Sequence, residues 1–233
     1  MTLHSRLVYD PFDLSPLEGS ALALQTLTLE LGASVELTEP GHDSLLYVSR
    51  GSGLFSAGAE SVAIPERTAG LVLAGEDATL SATSELEAIL ATVGPAADLH
   101  APMGARSLTV SLDDGDAQQA TGARSFQILF GPHNGSTRAT FFAGFIPPGK
   151  APWHYHLYDE IVWVPEGPGR LHLAEGGCPL EAGAAFRLRP RQVHIVENEG
   201  HGEMTILGVF SPAGSPSAAY LTAEVAAEYR FAG

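Results

Sequence analysis

A single cysteine, Cys178, stands among 233 residues. One thiol cannot close an intramolecular disulfide, and it excludes the zinc sites that need two or more thiolates. Cys178 lies in the turn-like stretch EGGCPLEAG and reads as an ordinary small residue, because a reactive thiol needs an electropositive setting. Lysine is as scarce: Lys150 stands alone, and Lys and Arg together number 12 against 27 Asp and Glu. The formal net charge of −15 leaves no basic patch for phosphates, so nucleic acid is excluded as a partner. An anionic membrane surface is excluded on the same ground. No apolar run approaches the ~20 residues that a membrane-spanning helix needs. The opening MTLHSRLVYDPFDLSPLEGS lacks the basic start and apolar run of a signal peptide, so a cytoplasmic location is expected. Helical periodicity is missing too, except in SPSAAYLTAEVAAEYRFAG, whose Ser/Pro start and Ala-rich run predict a short C-terminal helix.

What is present is a core and many turns. Hydrophobic residues make up 45% and charged residues 17%, with 26 glycines and 16 prolines, a composition of a globular chain rich in short strands. Strand-like runs fall at Leu22–Leu31, Ser44–Val48, Gly70–Leu73, Leu86–Val93, Arg124–Leu129, Thr140–Ile146, Glu160–Val164, Arg170–Leu173, Ala185–Leu188 and Met204–Phe210. Short strands at even spacing between Gly/Pro turns predict an all-β sandwich or barrel.

The chain also repeats itself. SLLYVSRGSGLF (Ser44–Phe55) aligns with EIVWVPEGPGRL (Glu160–Leu171), setting Leu45, Tyr47, Gly51 and Gly53 on Ile161, Trp163, Gly167 and Gly169. An Ala-Gly pair precedes an apolar strand in both copies, at Ala69-Gly70 and Ala182-Gly183. Two copies of one unit divide the chain into 1–100, a linker over 101–118, 119–212 and a tail over 213–233. In both copies the central strand is apolar on its two faces, which predicts burial on both, against the other unit or a second subunit.

The second copy carries the chemistry. In GKAPWHYHLYDEIVWVPEG, His154 and His156 share one strand face, and Glu160 keeps the same parity four residues on. His194 comes from GAAFRLRPRQVHIVEN with the parity of Phe186 and Leu188. Three imidazoles and a carboxylate converging inside a barrel form a mixed N/O site suited to one divalent Fe, Mn, Ni, Co or Zn ion. Gln192 has the inward parity and is a candidate substrate or supporting contact. Phe142, with Trp153, Phe141 and Phe145, is a candidate cavity lining, and His133 in the turn FGPHNGST is a candidate for its mouth. Asp159 has the opposite parity and is expected in solvent. Arg187, Arg189 and Arg191 share the outward face, as surface ion pairs or a clamp for a substrate carboxylate.

These two segments resemble the paired motifs of the cupin superfamily. Gly149, His154, His156, Glu160 and Gly167 fill the first motif, with the gap from Gly149 to His154 one residue short. Gly183, Pro190, His194 and Asn198 fill the second, where Gln192 stands in place of a usual glycine. The resemblance implies two tandem cupin barrels, of the double-stranded β-helix or jelly-roll type, with metal held by His154, His156, Glu160 and His194. In the first copy Ser44 takes the place of Glu160, Thr38 and Pro40 those of the paired histidines, and Ala78–Leu80 that of His194, so that barrel is expected to be metal-free. The expected function is a metal-dependent enzyme acting on a small organic molecule, of dioxygenase type. A sugar or sugar-acid isomerase, similar to the bicupin 5-deoxyglucuronate isomerases, is the second expectation, and a non-catalytic binding module the third. A homodimer is expected from the two-faced apolar strands.

Overall fold

The fold follows from strands that are apolar on one or both faces. The structure is a computed structural model that describes residues 3–7, 22–94, 101–120 and 123–222. Its first half contains β1 (Leu3–Leu7), β2 (Leu22–Leu29), β3 (Ser34–Glu36), β4 (Asp43–Arg50), β5 (Ser52–Ala57), β6 (Glu60–Pro65), β7 (Thr68–Val72), β8 (Ala78–Ala82), β9 (Leu86–Val93) and β10 (Thr109–Ser111). The second half contains β11 (Gln118–Gln119), β12 (Ser125–Phe130), β13 (Thr140–Ile146), β14 (Gly149–Lys150), β15 (His154–Tyr155), β16 (Asp159–Trp163), β17 (Gly169–Leu173), β18 (Gly176–Leu180), β19 (Ala185–Leu188), β20 (His194–Asn198), β21 (Met204–Ser211) and β22 (Tyr220–Leu221).

Each half is an antiparallel jelly-roll sandwich with the same strand order. One sheet of the first half runs β2-β9-β4-β7 and faces β3-β8-β5-β6; the second half repeats this as β13-β21-β16-β19 facing β15-β20-β17-β18. The internal repeat in the sequence is therefore a repeat of topology. Within each half the two sheets close on an apolar interior. Leu46, Phe55, Ile64, Leu80 and Leu90 fill the first, and Val162, Leu171, Phe186, Val196 and Ile206 fill the second.

The other faces of the two large sheets pack on each other. Leu45, Tyr47, Leu71 and Ile89 of the first half form one cluster with Phe141, Ile161, Trp163 and Val209 of the second, and Tyr47 meets Phe141 edge to face at 6.4 Å. This explains why β4 and β16 are apolar on both parities: one face closes a sandwich and the other joins the halves. The segment after residue 100 ties both together. Met103 N–H donates to Pro132 O, Ser107 N–H to Asn134 O, and β10 pairs with β7.

Several strands were not legible in the sequence. β6 and β18 are polar, glycine-bearing or edge strands, and Cys178 lies half-buried in β18 opposite Leu171 rather than in a turn. The expected C-terminal helix is not formed over 213–222. Residues Ser215–Ala219 make turns and β22 adds to the free edge of β15 instead. The rest of that expected helix, 223–233, lies outside the described residues.

Candidate metal centre

The strand ends of the second sandwich bring three histidines together. His154 opens β15 and is the direct register partner of His194, which opens β20. His156 follows two residues after His154, as the strand turns towards β16. One ligand atom from each of His154, His156 and His194 lies within 4.8 Å of the others. Glu160, in β16, stands to one side, with Oε2 3.9 Å from His156 Nε2.

Each ring is oriented by a backbone carbonyl. His154 Nδ1 meets Pro152 O at 2.9 Å, His156 Nδ1 meets Ala218 O at 3.3 Å, and His194 Nδ1 meets Gln192 O at 2.9 Å. A carbonyl oxygen only accepts, so each ring carries its proton on Nδ1 and leaves the Nε2 lone pair free. Burial lowers the pKa of all three, His156 to about 4 and His194 well below its ordinary value. Neutral imidazole with a bonded Nδ1–H is the form that ligates a metal. Glu160 is 3% exposed, and its Oε2 has no hydrogen-bond partner among the described residues. Burial, and then the charge of Asp159, raise its pKa to about 8. A buried carboxylate oxygen without a partner is costly unless a cation satisfies it. The three imidazoles therefore offer Nε2 donors that a divalent ion could take, and the Glu160 carboxylate stands beside them.

A cavity of about 100 Å³ opens onto these groups. Phe142, Val162 and Leu188 line it beside the ligands, and so does Phe145. Phe141 instead faces the first half, and Trp153 sits edge-on to His172 at 6.5 Å. Two features had no sequence signal. Tyr158 stacks between His156 and Phe210, with centroids 4.7 Å and 3.9 Å away. The segment from Pro216 to Leu221 roofs the cavity, and it supplies the carbonyl that fixes His156. Neither the stack partner nor the roof follows from strand parity.

Other expected residues lie elsewhere. Gln192 uses its side chain to close its own turn, Oε1 accepting from Arg189 N–H at 2.9 Å, and only its backbone carbonyl serves the site. His133 sits in the 3-10 turn Pro132–Asn134, beside a separate depression lined by Asp114 and Gln127. Asp159 is not solvated: it forms a two-pronged ion pair with Arg187, both largely buried. None of Arg187, Arg189 and Arg191 lines the cavity, so they form no clamp there.

Among the described residues, the first half has Ala and Ser at the places of His194 and Glu160. In its β5–β8 register Ala57 faces Ala78, where the second half has Leu173 facing His194. Ser44, at the place of Glu160, donates to Leu37 O.

Residues 142–210 match the family model described as Cupin domain. No curated protein matches the chain. Among solved structures, the chain is similar to a protein of Pseudomonas aeruginosa described as glyoxylate-induced, with TM-score 0.74, 15% identity, and 89% of this chain and 79% of that one covered. It is also similar to Bacillus subtilis oxalate decarboxylase, described with Mn(II) centres, with TM-score 0.71, 14% identity, and coverage of 91% and 76%. A cupin 2 conserved barrel domain protein from Leptotrichia buccalis gives TM-score 0.62 at 12% identity, with coverage of 90% and 89%. At these identities the likeness is one of fold: the chain has the barrel architecture of the cupin superfamily.

Proposed function

We propose that the second sandwich holds one divalent metal on His154, His156, His194 and Glu160 and uses it to transform a small organic molecule. The observation that carries this reading is the convergence of three Nδ1-anchored imidazoles on a buried carboxylate oxygen that has no partner. When bound, the ion would supply Lewis acidity and, if it is iron, redox chemistry with dioxygen. The chain's own part is to hold the rings, exclude water with the Phe142, Val162 and Leu188 walls, and keep the imidazoles neutral. The Mn(II) centres of the similar oxalate decarboxylase support a metal of this class. We read the chain as a bicupin whose first barrel, with Ala78 and Ser44 at the ligand places, is structural. Dioxygenation is the leading reaction, and isomerisation of a hydroxy-carbonyl compound is the second.

The test is metal quantification by mass spectrometry in untagged protein, beside a His154→Ala/His194→Ala double variant. About one equivalent in the wild type and none in the variant is the expected result. Bound iron directs the assay to oxygen consumption, and bound manganese or zinc directs it to isomerisation. No metal in either protein, and no uptake of any added ion, overturns the proposal.

A further inference from the structure

Most of the arginines among the described residues face acids. Arg50 pairs with Glu87, Arg67 with Asp113, Arg106 with Glu76, Arg170 with Glu199 and Arg187 with Asp159. Arg124 does not. Its guanidinium donates through Nη2 to the Val196 carbonyl, and among the described residues no carboxylate lies opposite it. It is the one Lys or Arg lining the cavity above the histidines, among the described residues.

Its position is built. Arg124 immediately precedes β12, and its own carbonyl accepts from Ala120 N–H at 2.9 Å and from Gln119 Nε2 at 2.9 Å. Those two bonds hold the backbone of Arg124, whose side chain lines the cavity. Burial lowers its pKa to about 10, so the charge is desolvated, and the shifts of His154 and His194 both include its field. An arginine taken from water and bonded once has unused donors in a fixed planar fork. A carboxylate satisfies such a fork with two parallel charge-assisted bonds.

Charge balance points the same way. A divalent ion, one Glu160 carboxylate and neutral imidazoles leave a surplus positive charge, and Arg124 adds another. The rest of the lining includes Phe126, Phe142, Ile146, Val162 and Ile206, which are apolar. Among the described residues the lining has no second cation for a second carboxylate, and its apolar part favours a hydrocarbon body.

Resting on the metal-site reading, we propose that Arg124 receives the carboxylate of a small monocarboxylic substrate whose apolar chain lies on the Phe126–Phe142–Ile206 wall. Binding to the metal-loaded full chain tests this by calorimetry, with isovalerate, its neutral amide isovaleramide, and oxalate as probes. Isovalerate binds wild type at least about tenfold more tightly than either of the other two. In Arg124→Gln the preference of acid over amide disappears while the metal content is unchanged. Arg124→Lys keeps the charge but not the fork, and retains part of the preference, which keeps the test open if the Gln variant does not fold. Equal binding of acid and amide by wild type, a preference that survives in Arg124→Gln, or no binding of isovalerate overturns the proposal. A wild type that takes no metal yet selects the acid through Arg124 overturns the metal reading alone and supports the subsite.

Discussion

His154 and His194 face each other as direct partners across β15 and β20, with rings 4.4 Å apart and tilted by 55°. His156 completes the triangle at 5.2 Å from the first ring and 5.1 Å from the second. Three protonated rings at this spacing would repel one another, and burial, the larger cause, lowers the pKa of each. The pairing of two strand ends therefore sets both the geometry and the charge state that a metal requires.

Gly208 lies in β21 between Phe142 of β13 and Val162 of β16. A Cβ there would collide with the Phe142 ring and come within 2.9 Å of Glu160 Oε1. Gly208→Ala is expected to weaken metal binding by about tenfold or more through displacement of Glu160, by analogy with lost ligand support. Overpacking is expected to lower stability by only about 1–3 kcal/mol. Metal titration beside thermal unfolding checks this, and full-affinity binding by a folded variant would contradict the assigned role of Glu160.

Trp163 joins the two halves and is 8% exposed, yet its Nε1–H has no hydrogen-bond partner among the described residues. Trp163→Ala is expected to destabilise by about 3–5 kcal/mol through the cavity it leaves. Trp163→Phe removes the unpartnered donor with part of the volume and is expected to cost below about 1.5 kcal/mol. Urea unfolding of the two variants separates them. Equal losses would mean that the indole N–H matters and that the packing account is wrong.

Tyr220 stacks on Tyr155 with centroids 5.5 Å apart and pins the roof segment that carries the Ala218 carbonyl. Tyr220→Ala is expected to speed metal loss to a chelator roughly tenfold, a typical effect of loosening the support of a ligand. Global stability should move by less than about 1 kcal/mol, because the ring is half exposed. Stopped-flow chelation measures the rate, and an unchanged rate would detach the roof from the site.

The Glu76–Arg106 contact gives the fold a dependence on acid. Burial alone would raise the Glu76 pKa, but hydrogen bonds from Arg106 and from Leu73 N–H outweigh it and hold the carboxyl below its ordinary value. A depressed folded pKa means that the stabilisation is present above the unfolded value and is lost as pH falls through the folded one. Arg106→Ala is therefore expected to cost up to about 1 kcal/mol near neutral pH, since the pair is partly solvated. The difference from wild type should shrink at acid pH, as Glu76 takes up its proton, down to what the Arg106 bond to Leu71 O contributes. Denaturant curves at the two pH values read it directly.

Much of this site was legible before any fold was known, because strand parity is a local property. His154 and His156 share a face by spacing alone, and Leu86–Val93, Thr140–Ile146 and Ala185–Leu188 were bounded as the structure has them. The apolar outer faces carrying Tyr47 and Trp163 were legible as well, since a strand apolar on both parities must be covered twice. Asp159 was misread because parity says which way a side chain points and not what meets it. Arg187, its partner, comes from the neighbouring strand β19, at the position paired with Ile161. The start of the tail, over 215–222, was misread because helix propensity is weak beside an open strand edge. β15 offers such an edge, and β22 takes it.

The sequence by itself determined the all-β class, the repeat of one unit, and the identity of the side chains that could ligate a metal. These rest on period-two alternation and residue chemistry, which need no knowledge of distant contacts. Only the tertiary structure decided that Arg124 reaches the histidine cavity, that Phe210 backs the Tyr158 ring stacked on His156, and that the segment around Ala218 roofs the cavity. Those contacts join residues tens of positions apart through loops without periodicity, so closing the sandwich, and not any local preference, brings them together.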